Sequence, residues 1–375
     1  MKKISILAAA LCMIFAGCTS ENDDYETDRE QQKISFTRPV IKGITRTVTG
    51  EINSPYPTNE NFIVFGKRYK GEYPGWEGCL EEYNTTGEVT NYNTSLNGWE
   101  TTISHYWINE FLYTFAAYSP AGASGQIAYG NTGLSITGFT PAAIGSQYDL
   151  MYAKRIYGKS KNDMITGKKE PNYNGIPLVF SHALSSIVFN IGVDKKYAVD
   201  NKGKENVNVF KIKSIKIKGI YNTGNFVENI SSDEGTPSTT YAAAPSWTAS
   251  RLPGSEDYTL FSDPNGVSIP IIEATDNKLT PITQIGTTKG NNAILIPQTF
   301  DENNNNGCIE VVWTGNGNDP EGMVVWNTST IYLKDKTPTW QIGYRYTYNL
   351  KFTKDLIIFS PSVEAWTDAS SNIDI

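Results

Sequence analysis

The sequence predicts an all-β protein, two antiparallel β-sandwich domains in tandem. Composition is the first observation. The 375 residues include 22 Tyr, 15 Phe and 8 Trp beside 32 Gly and 18 Pro. Aromatic and β-branched side chains suit a pleated, half-buried surface, and Gly and Pro mark turns. The second observation is pattern: apolar runs are short, alternate with period two and are separated by turn residues. The third is a lack: no 3.6-residue period persists over three turns, so helices should be few and short. Beyond the leader and spacer, roughly 330 residues remain, enough for two domains of ordinary size.

The chain begins with a leader. Lys2 and Lys3 form a basic start, residues 4–15 are apolar, and the run ends Phe15-Ala16-Gly17-Cys18. That core is too short to span a bilayer and fits a signal peptide. Small residues before a cysteine are what the bacterial lipoprotein signal peptidase needs, so Cys18 is the expected lipidation site. It would carry a diacylglycerol and a palmitate-type acyl chain. The signal peptide is thus residues 1–17. No later apolar run reaches the roughly 18 residues of a membrane helix, so the lipid would be the only anchor.

Residues 18–33 follow as an acidic, flexible tether, with Glu21, Asp23, Asp24, Glu26, Asp28 and Glu30 and almost nothing to bury. Residues 34–41 read as the first strand, through the alternation Ile34-Ser35-Phe36-Thr37. Pro39 cannot donate to a ladder, which suggests an edge or a strand end. GITRTVTG (residues 43–50) reads as an exposed loop.

Residues 62–66 are a buried strand, and 71–100 are loops around short hairpins. In YWINEFLYTFAAYSP (residues 106–120) both faces are apolar, as in a central strand. Residues 134–136 and 149–153 are further strands. The Gly-, Lys- and Asn-rich stretch 154–175 is the expected domain boundary. It gives an N-terminal sandwich over residues 34–172 and a C-terminal one over 173–375. Residues 178–193 open the second half. In residues 210–218 the apolar positions switch from even to odd near Lys213-Ser214, as one extra residue in a strand would cause. Tyr344, Tyr346, Tyr348, Leu350 and Phe352 line one face of the clearest strand. Residues 356–359 and 363–366 are the last apolar pieces before a polar tail.

Several chemistries are excluded. Two histidines, His105 and His182, and no CxxC argue against a zinc site, and no metal is expected. No GxSxG elbow is present. Gly158-Lys159-Ser160 lacks the glycine a phosphate loop needs, since Ala153 stands there. DENNNNG (residues 301–307) has the wrong spacing for a calcium loop and fits a hairpin turn. Cys79 and Cys308 are too few for a disulfide framework and read first as buried free thiols, with a pair across the domains as the alternative. A net charge of −7 gives no reason to expect nucleic acid.

The order and spacing of the motifs resemble the fimbrillin family, the fimbrial subunits of Bacteroidales. The carriers are the lipoprotein leader, ITRTVTG, FLYTFAAYSP with YDLMYAKR, IPLVFSHALSSIVFNI, AILIPQTF, and WQIGYRYTYNL (residues 340–350) with a closing VEAW (residues 363–366). The resemblance implies transthyretin-like sandwiches and export to the outer membrane as a surface lipoprotein. It also implies cleavage by a trypsin-like surface protease after an arginine in the loop behind the first strand. By position that is Arg46, with Thr47 as the new N-terminus; Pro39 makes Arg38 a poor site. Loss of strand 34–41 would leave unpaired backbone groups for another chain's strand. A sister subunit would complete the sheet by β-strand addition, and repetition head to tail gives a filament. The donor would come from residues 356–375, with Val363, Trp366, Ile373 and Ile375 as anchors.

Three readings compete. A structural or adhesive fimbrial subunit comes first. The alternative is a surface glycan-binding lipoprotein, in which Trp76, Trp99, Trp107 and Trp247 would stack on a host or other glycan ligand; taken singly, each reads first as a core or loop-packing ring. An enzyme comes last, because no carboxylate pair stands out among Glu81, Glu82, Glu256 and Asp257. No cofactor is expected.

Overall fold

The computed structural model describes residues 32–42, 53–165, 175–199, 209–231, 242–252, 257–272, 278–287, 289–302, 305–315, 324–354 and 356–366. Cys18, Arg46, Thr47, Ile373 and Ile375 lie outside these residues. Among the described residues helix is confined to Lys161–Ile165, Leu333–Lys336 and one 3-10 turn at Ile282–Gln284. The all-β expectation holds.

Four sheets carry the fold. The largest runs Asn53–Pro55, Val40–Lys42, Val179–His182, Met151–Lys159, Leu112–Ser119, Phe62–Tyr69, Glu88–Asn93, Gly98–Thr101, with Leu80–Glu81 attached to Phe62–Tyr69. As the sequence suggested, Leu112–Ser119 is central and buried on both faces: Tyr113, Phe115 and Ala117 point to one core, Tyr118 to another. A four-stranded sheet, Ser246–Ser250, Thr223–Val227, Gly133–Phe139, Gln126–Gly130, covers the outer face of the large one.

The second unit is a sandwich. One sheet is Ile271–Ile272, Ser185–Asp194, Tyr344–Phe352, Ile357–Ala365, with Thr280–Pro281 and Ala293–Leu295 attached to Ser185–Asp194, and the other is Tyr258–Ser268, Lys211–Lys218, Cys308–Thr314, Asn327–Tyr332. Its core lies between them, with Ile187, Phe189 and Ile191 facing Ile212, Ile215 and Val311. The ladders of Lys211–Lys218 slip between Ile212 and Ser214, where the parity switch placed an extra residue.

Two features differ from the sequence reading. The long ladder between Ser185–Asp194 and Tyr344–Phe352 is parallel. Parallel neighbours need a crossover, and the chain between them supplies one by building the opposite sheet. The second difference is where the sheets change hands. Residues 179–182 belong to the first sheet, so the change falls between His182 and Ser185, downstream of residue 172. Thr223–Val227 also pairs with Gly133–Phe139, tying the two halves together. Met151–Lys159 and Val179–His182 ladder to each other within the first sheet.

Candidate functional site

The largest sheet closes on itself, and residues 32–42 close it. On one side, Phe36 exchanges both hydrogen bonds with Trp99, each at 2.8 Å, and the Ile34 amide donates to the His105 carbonyl at 2.8 Å. The Trp107 amide donates to Gln32 at 3.0 Å. On the other side, Ile176 donates to Ser35 at 2.8 Å, Thr37 to Ile176 at 3.1 Å, and Val40 to Leu178 at 3.2 Å. Val40 and Ile41 then pair in parallel with Val179 and Phe180. The segment is therefore a stave flanked on both sides, and only Val40–Lys42 of it is a regular strand. The sequence suggested an edge or a strand end because of Pro39, and the segment is not an edge. Pro39 instead sits where the chain moves from one set of partners to the next, and its carbonyl accepts from the Tyr56 amide at 2.8 Å.

Its side chains fill the enclosed core. Ile34, Phe36 and Ile41 are buried. The Phe36 ring meets Phe115 and Phe62 edge-on, at centroid distances of 5.5 and 6.2 Å. Full burial of such side chains stabilises by about 1.5–3 kcal/mol each. Gly175 fits the stave closely: a Cβ there would lie 2.5 Å from the Phe36 carbonyl carbon. The Tyr56 hydroxyl, deep in the same core, shares a 2.7 Å hydrogen bond with Ser119, and burial holds its pKa well above the usual tyrosine range.

Apart from Asn53–Pro55, the remaining strands do not depend on this stave for continuity. From Val179–His182 to Gly98–Thr101 each strand is laddered to the next. Removing residues 32–42 would open a seam lined by Trp99, Ile176, Phe62 and Phe115 and leave the other staves joined. Asn53–Pro55 alone among the strands ladders only to Val40–Lys42.

One wall of the seam is braced by charge. The His105 ring sits 3.1 Å from Glu88 and 3.4 Å from Glu82, and Arg68 meets Glu82 at 2.9 Å. Burial raises the Glu82 carboxyl, with Arg68 and His105 opposing. His105 is thus held as part of the wall whose carbonyl receives Ile34.

Of the residues singled out in the sequence, two lie at the other end of the chain. Val363 is 37% exposed on Ile357–Ala365, an edge strand whose sole ladder is to Tyr344–Phe352. Trp366 is buried in this chain's own core, stacked on His182. Trp76, Trp99 and Trp107 are buried, and the Trp247 ring nitrogen donates to Ala183 at 2.7 Å. These rings pack the fold, which removes the observation that carried the glycan-binding reading. Gly175 was missed: a glycine before a strand has the same sequence signature as a loop glycine.

The sequence matches the fimbrillin-like family over residues 45–366. The chain belongs to the fimbrillin-like family. As such it is a structural, non-enzymatic protein of the fimbrial or adhesive kind. A search of curated proteins found no match. Among solved structures, the chain is similar to a protein assigned to cell adhesion from Bacteroides ovatus, at 14% identity and a TM-score of 0.50. That alignment covers 91% of this chain and 99% of the other. It is also similar to a fimbrial protein from Bacteroides vulgatus, at 17% identity and a TM-score of 0.46, covering 89% and 100%. The first of these likenesses supports the shared fold.

Proposed function

We propose that this fimbrillin-like chain is exported as an outer-membrane lipoprotein through Cys18, cut after Arg46 by a trypsin-like surface protease, and assembled by strand exchange. The observation that carries the proposal is the stave at residues 32–42. It is held on both sides, yet the sheet remains joined without it. The cut would fall just beyond Lys42, detach the lipid with the stave and leave Thr47 as the first residue.

A vacated seam would expose Trp99, Phe62, Phe115 and Ile176 beside unpaired amides and carbonyls. Unpaired edges and an apolar groove favour the capture of an added strand. The strand would come from residues 356–375 of a second copy. Val363 and Trp366 would leave their present places, and Ile373 and Ile375 would supply the alternating apolar positions of a strand. Such a contact is heterologous and does not close, so it propagates a filament.

The test is an Arg46→Ala variant. It should stay membrane-bound through its lipid and fail to polymerise, while the unaltered chain is released and assembles. Normal release and assembly of the variant would overturn the cleavage assignment.

A further inference from the structure

Residues 176–184 touch both ends of the chain. At one end, Ile176, Leu178, Val179 and Phe180 hold the leading stave. At the other, His182 stacks on Trp366, ring centroids 4.0 Å apart and planes within 8°. Trp366 donates its amide to Gly343 at 2.9 Å, and Gly343 donates to Leu184 at 2.9 Å. The last strand is therefore tied to this nine-residue stretch by a ring stack and by a two-step backbone relay.

The stack is an unusual fastening. His182 is buried and its Nδ1 lies 2.6 Å from Asp149, itself buried. Yet Asp149 Oδ1, His182 Nε2 and Trp366 Nε1 are all buried without a hydrogen-bond partner among the described residues. A partly satisfied polar network in low dielectric holds its members less firmly than a complete one and calls for an explanation. A fastening that must open supplies one.

We propose that the stretch 176–184 couples the two ends: with the leading stave seated it holds Trp366 in place, and loss of the stave loosens Trp366 and frees the last strand. Without the stave, Val179–His182 becomes a sheet edge. It then keeps its three pairs with Met151, Tyr152 and Ala153 and the 2.8 Å bond from the Ala183 amide to the Leu150 carbonyl. His182 pairs with Met151 in that short ladder, two residues beyond the last stave contact at Phe180, so loosening of the strand shifts the surface against which Trp366 stacks. The biological use of this coupling rests on the strand-exchange reading, since it would release a donor strand only from a subunit whose own seam is open. The coupling itself is a property of the single chain.

Coupling between sites is reciprocal, which gives the test two directions. Hydrogen exchange is measured in the full-length chain. In Trp366→Ala, the amides of Ile34, Phe36 and Val40 should exchange at least about five-fold faster, the lower end of ordinary coupling between sites. Val363→Ala, on the same strand but outward-facing, should leave them unchanged. In Gly175→Ala the stave is displaced at the other end, and the Trp366 amide should speed up by a similar factor. Unchanged exchange in the stave of Trp366→Ala would overturn the coupling, as would a rise matched by Ile212 and Ile215 in the far sheet. Should Trp366→Ala fail to fold, Gly175→Ala decides alone. Neither variant needs a filament, so this coupling and the Arg46 assignment can fail separately.

Discussion

Gly175 and Phe36 are packed backbone to backbone. A Cβ added at Gly175 would lie 2.5 Å from the Phe36 carbonyl carbon and 2.5 Å from the Thr37 nitrogen. Neither atom can yield without breaking the hydrogen bonds of Ser35 and Thr37 to Ile176. The seam is built for a strand that approaches this closely and for nothing bulkier.

Gly175→Ala should therefore destabilise the uncut chain by about 1–3 kcal/mol, the usual cost of overpacking. Phe36→Ala should cost about 3–5 kcal/mol through the cavity it leaves between Phe62 and Phe115. Denaturant midpoints measure both. Unchanged midpoints would show that the stave contributes nothing to the uncut fold.

Proteolysis should choose between two arginines. The Arg38 side chain is exposed, but its Nε donates to the Tyr56 carbonyl at 3.1 Å, and Pro39 follows it. Limited trypsin digestion of the folded chain should cut after Arg46 before Arg38. The masses of the first products check the order, and an initial cut at Arg38 would contradict it.

Glu228 should make stability depend on pH. Its Oε2 accepts from the Leu134 amide at 2.9 Å, Oε1 has no partner among the described residues, and burial pushes the carboxyl up to about 7 from 4.5. A raised folded value means that the native state holds the proton more tightly. The contribution is therefore complete below pH 4.5 and lost as pH rises through about 7. The gap between 4.5 and about 7 corresponds to about 3 kcal/mol. Glu228→Gln should match the unaltered chain at pH 4 and exceed it by up to that amount at pH 8. Denaturant unfolding at the two pH values measures the difference.

The two cysteines are not joined in a disulfide, and both should be found as thiols. Cys79 is buried and donates to the Gly75 carbonyl at 3.2 Å, and burial raises the Cys308 thiol, with Lys218 opposing. In the native protein Cys79 should resist alkylation and Cys308 should react slowly at neutral pH. Both should react fully once unfolded, as mass spectrometry of the alkylated chain will show.

Much of the fold was legible because period-two patterning reports burial directly. Leu112–Ser119 announced a central strand through two apolar faces, and Lys211–Lys218 announced its bulge through a parity switch. Partners were less legible. Nothing in Ile34 or Phe36 says that a strand has neighbours on both sides, because pairing is decided by segments distant in sequence. Trp99 and Trp107 illustrate the same limit: both are buried, as packing tryptophans would be, but the sequence does not name the segment they meet. Gly175 closes a stretch with a loop-like signature, and that signature does not reveal that it admits the Phe36 backbone. His182 is a lone histidine just before an apolar run, and nothing in the sequence names its neighbours. Its seat beneath Trp366 follows from two residues far apart in sequence being brought together by the sheet.

The central claim is that the leading stave leaves and a second copy fills its place. Mass spectrometry of subunits recovered from assembled, surface-released fibres tests it most directly. Chains should begin at Thr47, with no peptide from residues 34–41 in the assembled material. Assembled chains that retain residues 34–41 would contradict the account.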